Sequence, residues 1–109
     1  MIIDSHCHLT YEPILSTLDE TIKRANLDGV NFLLTISTED KSFKNILQIL
    51  NNYNCVYGTY GIHPHEAEKH KYIKSENIIN RVNENKKIIG VGETGLDFYY
   101  NHSKKKRSN

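Results

Sequence analysis

Apolar positions along the chain alternate between two kinds of run, and each kind predicts its own element. Between residues 14 and 29, Ile14, Leu15, Leu18, Ile22 and Ala25 recur at the spacing of a helix with one buried face. Pro13 stands where a first helical turn tolerates it, because the N–H it lacks would have no intrahelical acceptor, and Gly29 is a stop. Residues 2–8 ahead of this helix open on Ile2-Ile3 and read as a first buried strand. Val30 to Ile36 is an apolar run with β-branched residues, long enough for a second buried strand only. Ser37 and Thr38 follow as candidate N-caps, with Glu39 and Asp40 in the first turn, where acids suit the helix dipole. Phe43, Ile46, Leu47 and Leu50 mark one face of that second helix, and the polar string Asn51-Asn52-Tyr53-Asn54 ends it.

Cys55 to Ile62, rich in Val, Tyr, Thr and Ile, predicts a third strand, which His63-Pro64-His65 breaks. Residues 66–74 form a polar connection. Ser75 then leads a short helix with Ile78, Ile79 and Val82 on its apolar side, and Lys87 to Gly92 supplies a fourth strand ending at Glu93. Strands separated by helices predict a parallel sheet with right-handed crossovers, an α/β fold. With 109 residues the chain has room for one domain, and 38% hydrophobic with 25% charged residues describes a globular segment rather than a disordered one. A net charge of +1 demands neither a nucleic-acid nor a membrane partner, so function has to be sought in local motifs. Cys7 and Cys55 are too few for a disulfide framework, the first residues do not resemble a signal peptide, and no apolar run approaches the roughly 20 residues of a membrane span. A reducing, cytoplasmic setting is the expectation.

In parallel α/β folds chemistry collects at the carboxyl ends of strands, and three of the four predicted strands end in residues fit for it. On an extended strand alternate side chains share a face, so His6 and His8 point together while Cys7 points away, with Asp4 on the histidine face one layer deeper. Two imidazoles so placed can hold Zn²⁺ or another transition metal, or they are ordinary histidines near a turn. His63 falls at the end of the third strand, where it can donate to a phosphate or orient a substrate, or merely cap the strand or a helix start; His65 reads as a turn residue. Glu93 ends the fourth strand between glycines, and its carboxylate can bridge two ions or simply pair with a lysine. Two histidines and one carboxylate are too few for a dinuclear site with ions about 3.5–4 Å apart, so further ligands are required from elsewhere. Cys7 and Cys55 read as small buried hydrophobes rather than nucleophiles. Tyr99-Tyr100 and the basic run Lys104 to Arg107 read as loop packing and a solvated terminus.

Ile3-Asp4-Ser5-His6-Cys7-His8-Leu9, Gly61-Ile62-His63-Pro64-His65 and Gly92-Glu93-Thr94-Gly95-Leu96-Asp97-Phe98-Tyr99 together resemble the three N-terminal signatures of TatD-type deoxyribonucleases, in the right order and at suitable separations. The resemblance implies a (β/α)₈ barrel that hydrolyses phosphodiester bonds in DNA with two divalent ions, Mg, Mn and Zn not being distinguished. By match of motif His6 and His8 bind one ion, Glu93 bridges it to a second as the catalytic carboxylate, and His63 sits near the substrate phosphate. Members of the family continue into an amphipathic helix and four more strands, which carry two further histidines and an aspartate as ligands. A whole barrel takes about 250 residues. Residues 1–109 are therefore expected to form the N-terminal part of a hydrolase barrel, truncated near residue 105 by a frameshift, an early stop or a split gene. Alone it is expected to be inactive, and to associate through open sheet edges with itself or with a complementary C-terminal fragment. The alternatives are another metallohydrolase that opens on the same His-x-His pattern, an amidohydrolase or phosphoesterase, and a non-catalytic remnant that binds nucleic acid weakly through its basic tail.

Overall fold

A computed structural model of the chain describes residues 1–63 and 74–95. His65, Asp97, Tyr99, Tyr100 and the basic run Lys104 to Arg107 lie outside the described residues. Four strands, β1 (Ile2–Cys7), β2 (Val30–Thr35), β3 (Val56–Tyr60) and β4 (Ile88–Val91), alternate with three helices, α1 (Leu18–Leu27), α2 (Phe43–Asn52) and α3 (Ser75–Val82). All strand pairings are parallel and the order is β1-β2-β3-β4. Sequential parallel neighbours joined by helices put every crossover on one side of the sheet. The arrangement is that of the first units of a (β/α) barrel, the predicted fold class.

The core lies between the helices and one face of the sheet. Register places Leu33 beside Val56 and Thr35 beside Gly58, which in turn neighbours Ile88. These residues share the helix-side face, where Leu33, Val56 and Ile88 join Ile22, Phe43, Ile46, Ile49, Leu50 and Tyr60 in one buried cluster. The second face, reached through Ile3, Phe32, Leu34, Tyr57 and Ile89, has no such cover among the described residues, and Ile3 and Ile89 are 56% and 62% exposed. The first strand was expected to be buried; it is exposed along nearly its whole length, because it is an edge strand and the described helices cover only one face.

Four further expectations are corrected at the level of elements. The first α-helix begins at Leu18 rather than behind Pro13: residues 15–17 wind as a single 3₁₀ turn, and the Thr17 hydroxyl donates back to the Pro13 carbonyl at 3.2 Å. Short polar side chains offer the backbone such alternatives to helical pairing. Gly29, with φ of +93°, ends α1 as expected, in a conformation that costs glycine nothing. Ser37 and Thr38 do not cap α2, which starts at Phe43 after a 3₁₀ turn over Asp40–Ser42; both are buried among strand ends instead. Ile49, rather than Leu47, completes the fully buried set of α2. On α3, Ile78 and Val82 pack against the core while Ile79, on the flank of that stripe, is exposed. Among the described residues no helix is long and apolar enough to cross a membrane.

Candidate metal centre

The parallel strands deliver their carboxyl ends to one rim, and the predicted residues meet there. His6 is the last residue but one of β1, His8 lies one residue beyond the strand, His63 three residues past β3 and Glu93 two past β4. Glu93 Oε2 stands 3.4 Å from His6 Nε2 and 3.7 Å from His8 Nε2. The other carboxylate oxygen, Oε1, is 2.9 Å from His63 Nε2. His6, His8 and Glu93 each offer a ligand atom within 4.8 Å of the others. Asp4 does not complete the histidine face by simple alternation. A bulge sets Asp4 to Cys7 against Leu33 to Thr35, which breaks the two-residue period, and the Asp4 carboxylate instead accepts the His6 N–H at 3.1 Å.

Ser37 and Thr38, at the end of β2, hold the neighbouring loops in place. The Ser37 carbonyl accepts the Glu93 N–H at 2.7 Å, and the Thr38 carbonyl accepts the His63 N–H at 2.8 Å. The Ser37 hydroxyl donates to the Gly61 carbonyl at 3.0 Å. Thr59 Oγ1 accepts the Ser37 N–H at 3.2 Å and donates to the Gly92 carbonyl at 2.8 Å. One dipeptide that contributes no ligand thus fixes the backbones carrying His63 and Glu93. Reading the pair as caps missed this role. The available signal was that two small polar residues follow directly on a buried strand, in the position where rim loops need hydrogen-bond partners.

The His8 imidazole has Tyr11 stacked on it, ring centroids 4.7 Å apart and planes at 11°, and His6 edge-on at 5.1 Å and 80°. His8 Nδ1 is buried and has no hydrogen-bond partner among the described residues. The donor set suits a metal ion. Ligands about 2.1 Å from a tetrahedral ion stand about 3.4 Å apart, close to the observed His–Glu separations, and two imidazoles with a carboxylate are ligands common to Zn²⁺ and its neighbours. His8, Glu93 and His63 side chains are about a quarter exposed and His6 more than half, so the cluster opens to solvent on one side. Cys7 is only partly buried where a buried residue was expected, but burial first, and the Asp4 charge second, still push its thiol up to about 12, where no useful thiolate forms.

Residues 3–109 match the family model described as TatD related DNase. An uncharacterized metal-dependent hydrolase of Buchnera aphidicola is 34% identical, over 96% of this chain and 43% of its own length. The uncharacterized metal-dependent hydrolase YjjV of Escherichia coli is 32% identical, over 89% of this chain and 38% of its own. A protein of Shigella flexneri named 3'-5' ssDNA/RNA exonuclease TatD is 28% identical over 94% of this chain and 39% of its own. The crystal structure of YjjV, described as a TatD homolog, superimposes with a TM-score of 0.78 at 30% identity, over 92% of this chain and 39% of that one. The chain spans about two fifths of the length of the relatives it matches.

Proposed function

This chain belongs to the TatD-related DNase family, and from that premise we propose that it supplies the first half of a phosphodiesterase centre acting on DNA. The observation that carries the reading is Glu93 Oε2 facing both His6 and His8 from a strand three places away in the sheet. In this reading His6, His8 and Glu93 hold one divalent ion. Such an ion, when bound, supplies Lewis acidity toward a phosphodiester oxygen. Glu93 Oε2 would serve the histidine pair, and a second ion, where present, would draw on the same carboxylate. His63, now donating to Oε1, fixes the rotation of the carboxylate and is the donor on the substrate-phosphate side. Ser37 and Thr38 keep both groups at fixed distance while substrate enters from the open side.

Further ligands for a second ion would come from β/α units beyond the four described strands. The relative named as an exonuclease on single-stranded DNA and RNA makes a single-stranded oligonucleotide the substrate to test first. The four-strand unit, combined with the remaining units of a related barrel, is expected to cleave an end-labelled strand with Mg²⁺ or Mn²⁺ and not in EDTA. Glu93→Gln should lower the rate by at least about 100-fold. Cleavage that persists in EDTA, or that is untouched by Glu93→Gln, would overturn the proposal. Metal-dependent cleavage by the 109-residue chain alone would show that no further units are needed.

A further inference from the structure

We propose that Tyr11 is a positioning residue for this centre, holding the His8 imidazole by ring stacking where a hydrogen bond would ordinarily hold it; the inference rests on the metal-centre reading above. A ligating histidine usually donates its second ring nitrogen to a carboxylate, carbonyl or water, and that bond fixes the ring plane and keeps the ligating lone pair on target. Among the described residues nothing supplies that bond to His8, whose Nδ1 is buried without a partner there. A ring held only through χ angles retains rotational freedom, and any such freedom is lost again on binding an ion, at the expense of affinity. Tyr11 restricts it from the face. The two rings are within 11° of parallel at 4.7 Å, within the stacking separation that aromatic pairs favour.

Tyr11 is itself anchored at three points. Its N–H donates to the His8 carbonyl at 3.3 Å, and its carbonyl accepts the Leu15 N–H at 3.0 Å. Its hydroxyl donates to Thr38 Oγ1 at 3.1 Å, on a residue only 5% exposed whose carbonyl already holds the His63 backbone. Tyr11 therefore ties the His8 ring to the same dipeptide that fixes His63 and Glu93. No part of this follows from core packing, since Tyr11 is 47% exposed and stands outside the buried cluster. The exposure also makes the residue testable, because about half of its surface is already in solvent.

The experiment compares the wild-type chain with Tyr11→Phe, Tyr11→Ala and His8→Ala, all checked for an unchanged denaturant midpoint. In the metal-free chain, NMR of the histidine ring protons should show His8 shielded by the stacked ring in wild type and Tyr11→Phe, and released in Tyr11→Ala. Mn²⁺ alone is the metal probe, followed by the free-ion EPR signal. Tyr11→Ala is expected to weaken Mn²⁺ binding by about 10- to 100-fold, as loss of other outer supports does, and Tyr11→Phe to recover most of it. A purely structural role would instead lower the midpoint and leave the affinity of the folded fraction alone. Wild-type affinity and unchanged ring shifts in Tyr11→Ala, with His8→Ala weakened, would overturn the role of Tyr11 and leave the metal centre standing. Equal Mn²⁺ behaviour of wild type and His8→Ala would overturn the metal-centre reading and this inference with it.

Discussion

At Gly61 the backbone of the β4 loop occupies the space a side chain would need. A Cβ built there would lie 2.4 Å from the Gly92 carbonyl carbon, 2.6 Å from its oxygen and 2.7 Å from the Glu93 carbonyl oxygen. All three are backbone atoms, which cannot rotate away, so Gly61→Ala has to displace the segment that carries Glu93. The expected result is a loss of about 1–3 kcal/mol in denaturant unfolding, as for overpacked cores, together with weakened Mn²⁺ binding. Gly90→Ala is the matched control: its Cβ would meet only Thr59 Cγ2, at 3.9 Å, and should leave both measurements near wild type. Equal behaviour of the two variants would show that the close approach at Gly61 does not position the carboxylate. The sequence made Glu93 a candidate because it ends a strand between glycines. It gave no sign that Gly61, thirty-two positions earlier, is the glycine that leaves room for it.

A polar tie joins the helices to the end of β3. The Tyr60 hydroxyl donates to Asp40 Oδ1 at 2.7 Å, and Arg81 Nε lies 3.6 Å from the same oxygen, so β3, the turn entering α2, and α3 share one junction. Tyr60 is fully buried; burial, with the Asp40 carboxylate beside it, pushes its phenol up to about 12 from the ordinary 10.0. A group whose folded pKa is raised binds more protons folded than unfolded above the unfolded value. Stability from Tyr60 is therefore fully present below about pH 10 and lost as pH rises through about 12. Urea unfolding between pH 9 and about 11.5 should show a steeper alkaline decline in wild type than in Tyr60→Phe. Parallel curves would show that the phenol does not titrate differently on unfolding. Lys87 contributes in the opposite sense, since burial lowers its ammonium pKa, and comparison of the two proteins removes it. Its ammonium donates to the Leu50 and Tyr53 carbonyls at 2.9 and 2.7 Å, closing the C-terminus of α2 as the helix dipole favours.

For the molecule as a whole, the sheet face away from the helices sets the behaviour in solution. Ile3, Phe32, Leu34, Tyr57 and Ile89 line it, and β1 and β4 stand at the two edges of the sheet. In a complete barrel such side chains fill the interior in layers, and each edge strand is paired. With that face left uncovered by the described residues, the 109-residue chain should self-associate in a concentration-dependent way and bind a hydrophobic dye. Ile89→Lys puts a charge on the face at a residue that is 62% exposed, so folding should survive while association falls. Sedimentation velocity that finds a wild-type monomer at every concentration would refute this expectation.

The order of elements, the parallel sheet and the identity of the rim residues were legible in sequence. Each depends on local regularities: apolar spacing in the helices, β-branched runs in the strands, and polar residues where strands stop. Boundaries and faces were less legible where side chains compete with the backbone, as at Thr17, or where a bulge resets the alternation, as between Asp4 and Cys7. Only the tertiary structure decided that Ser37 and Thr38 hold loops instead of capping a helix, that Tyr11 faces His8, and that Gly61 makes room for the Glu93 segment. Those are contacts between residues far apart along the chain, or across a turn whose path no local periodicity encodes, and they form only when parallel strands bring their ends to one rim.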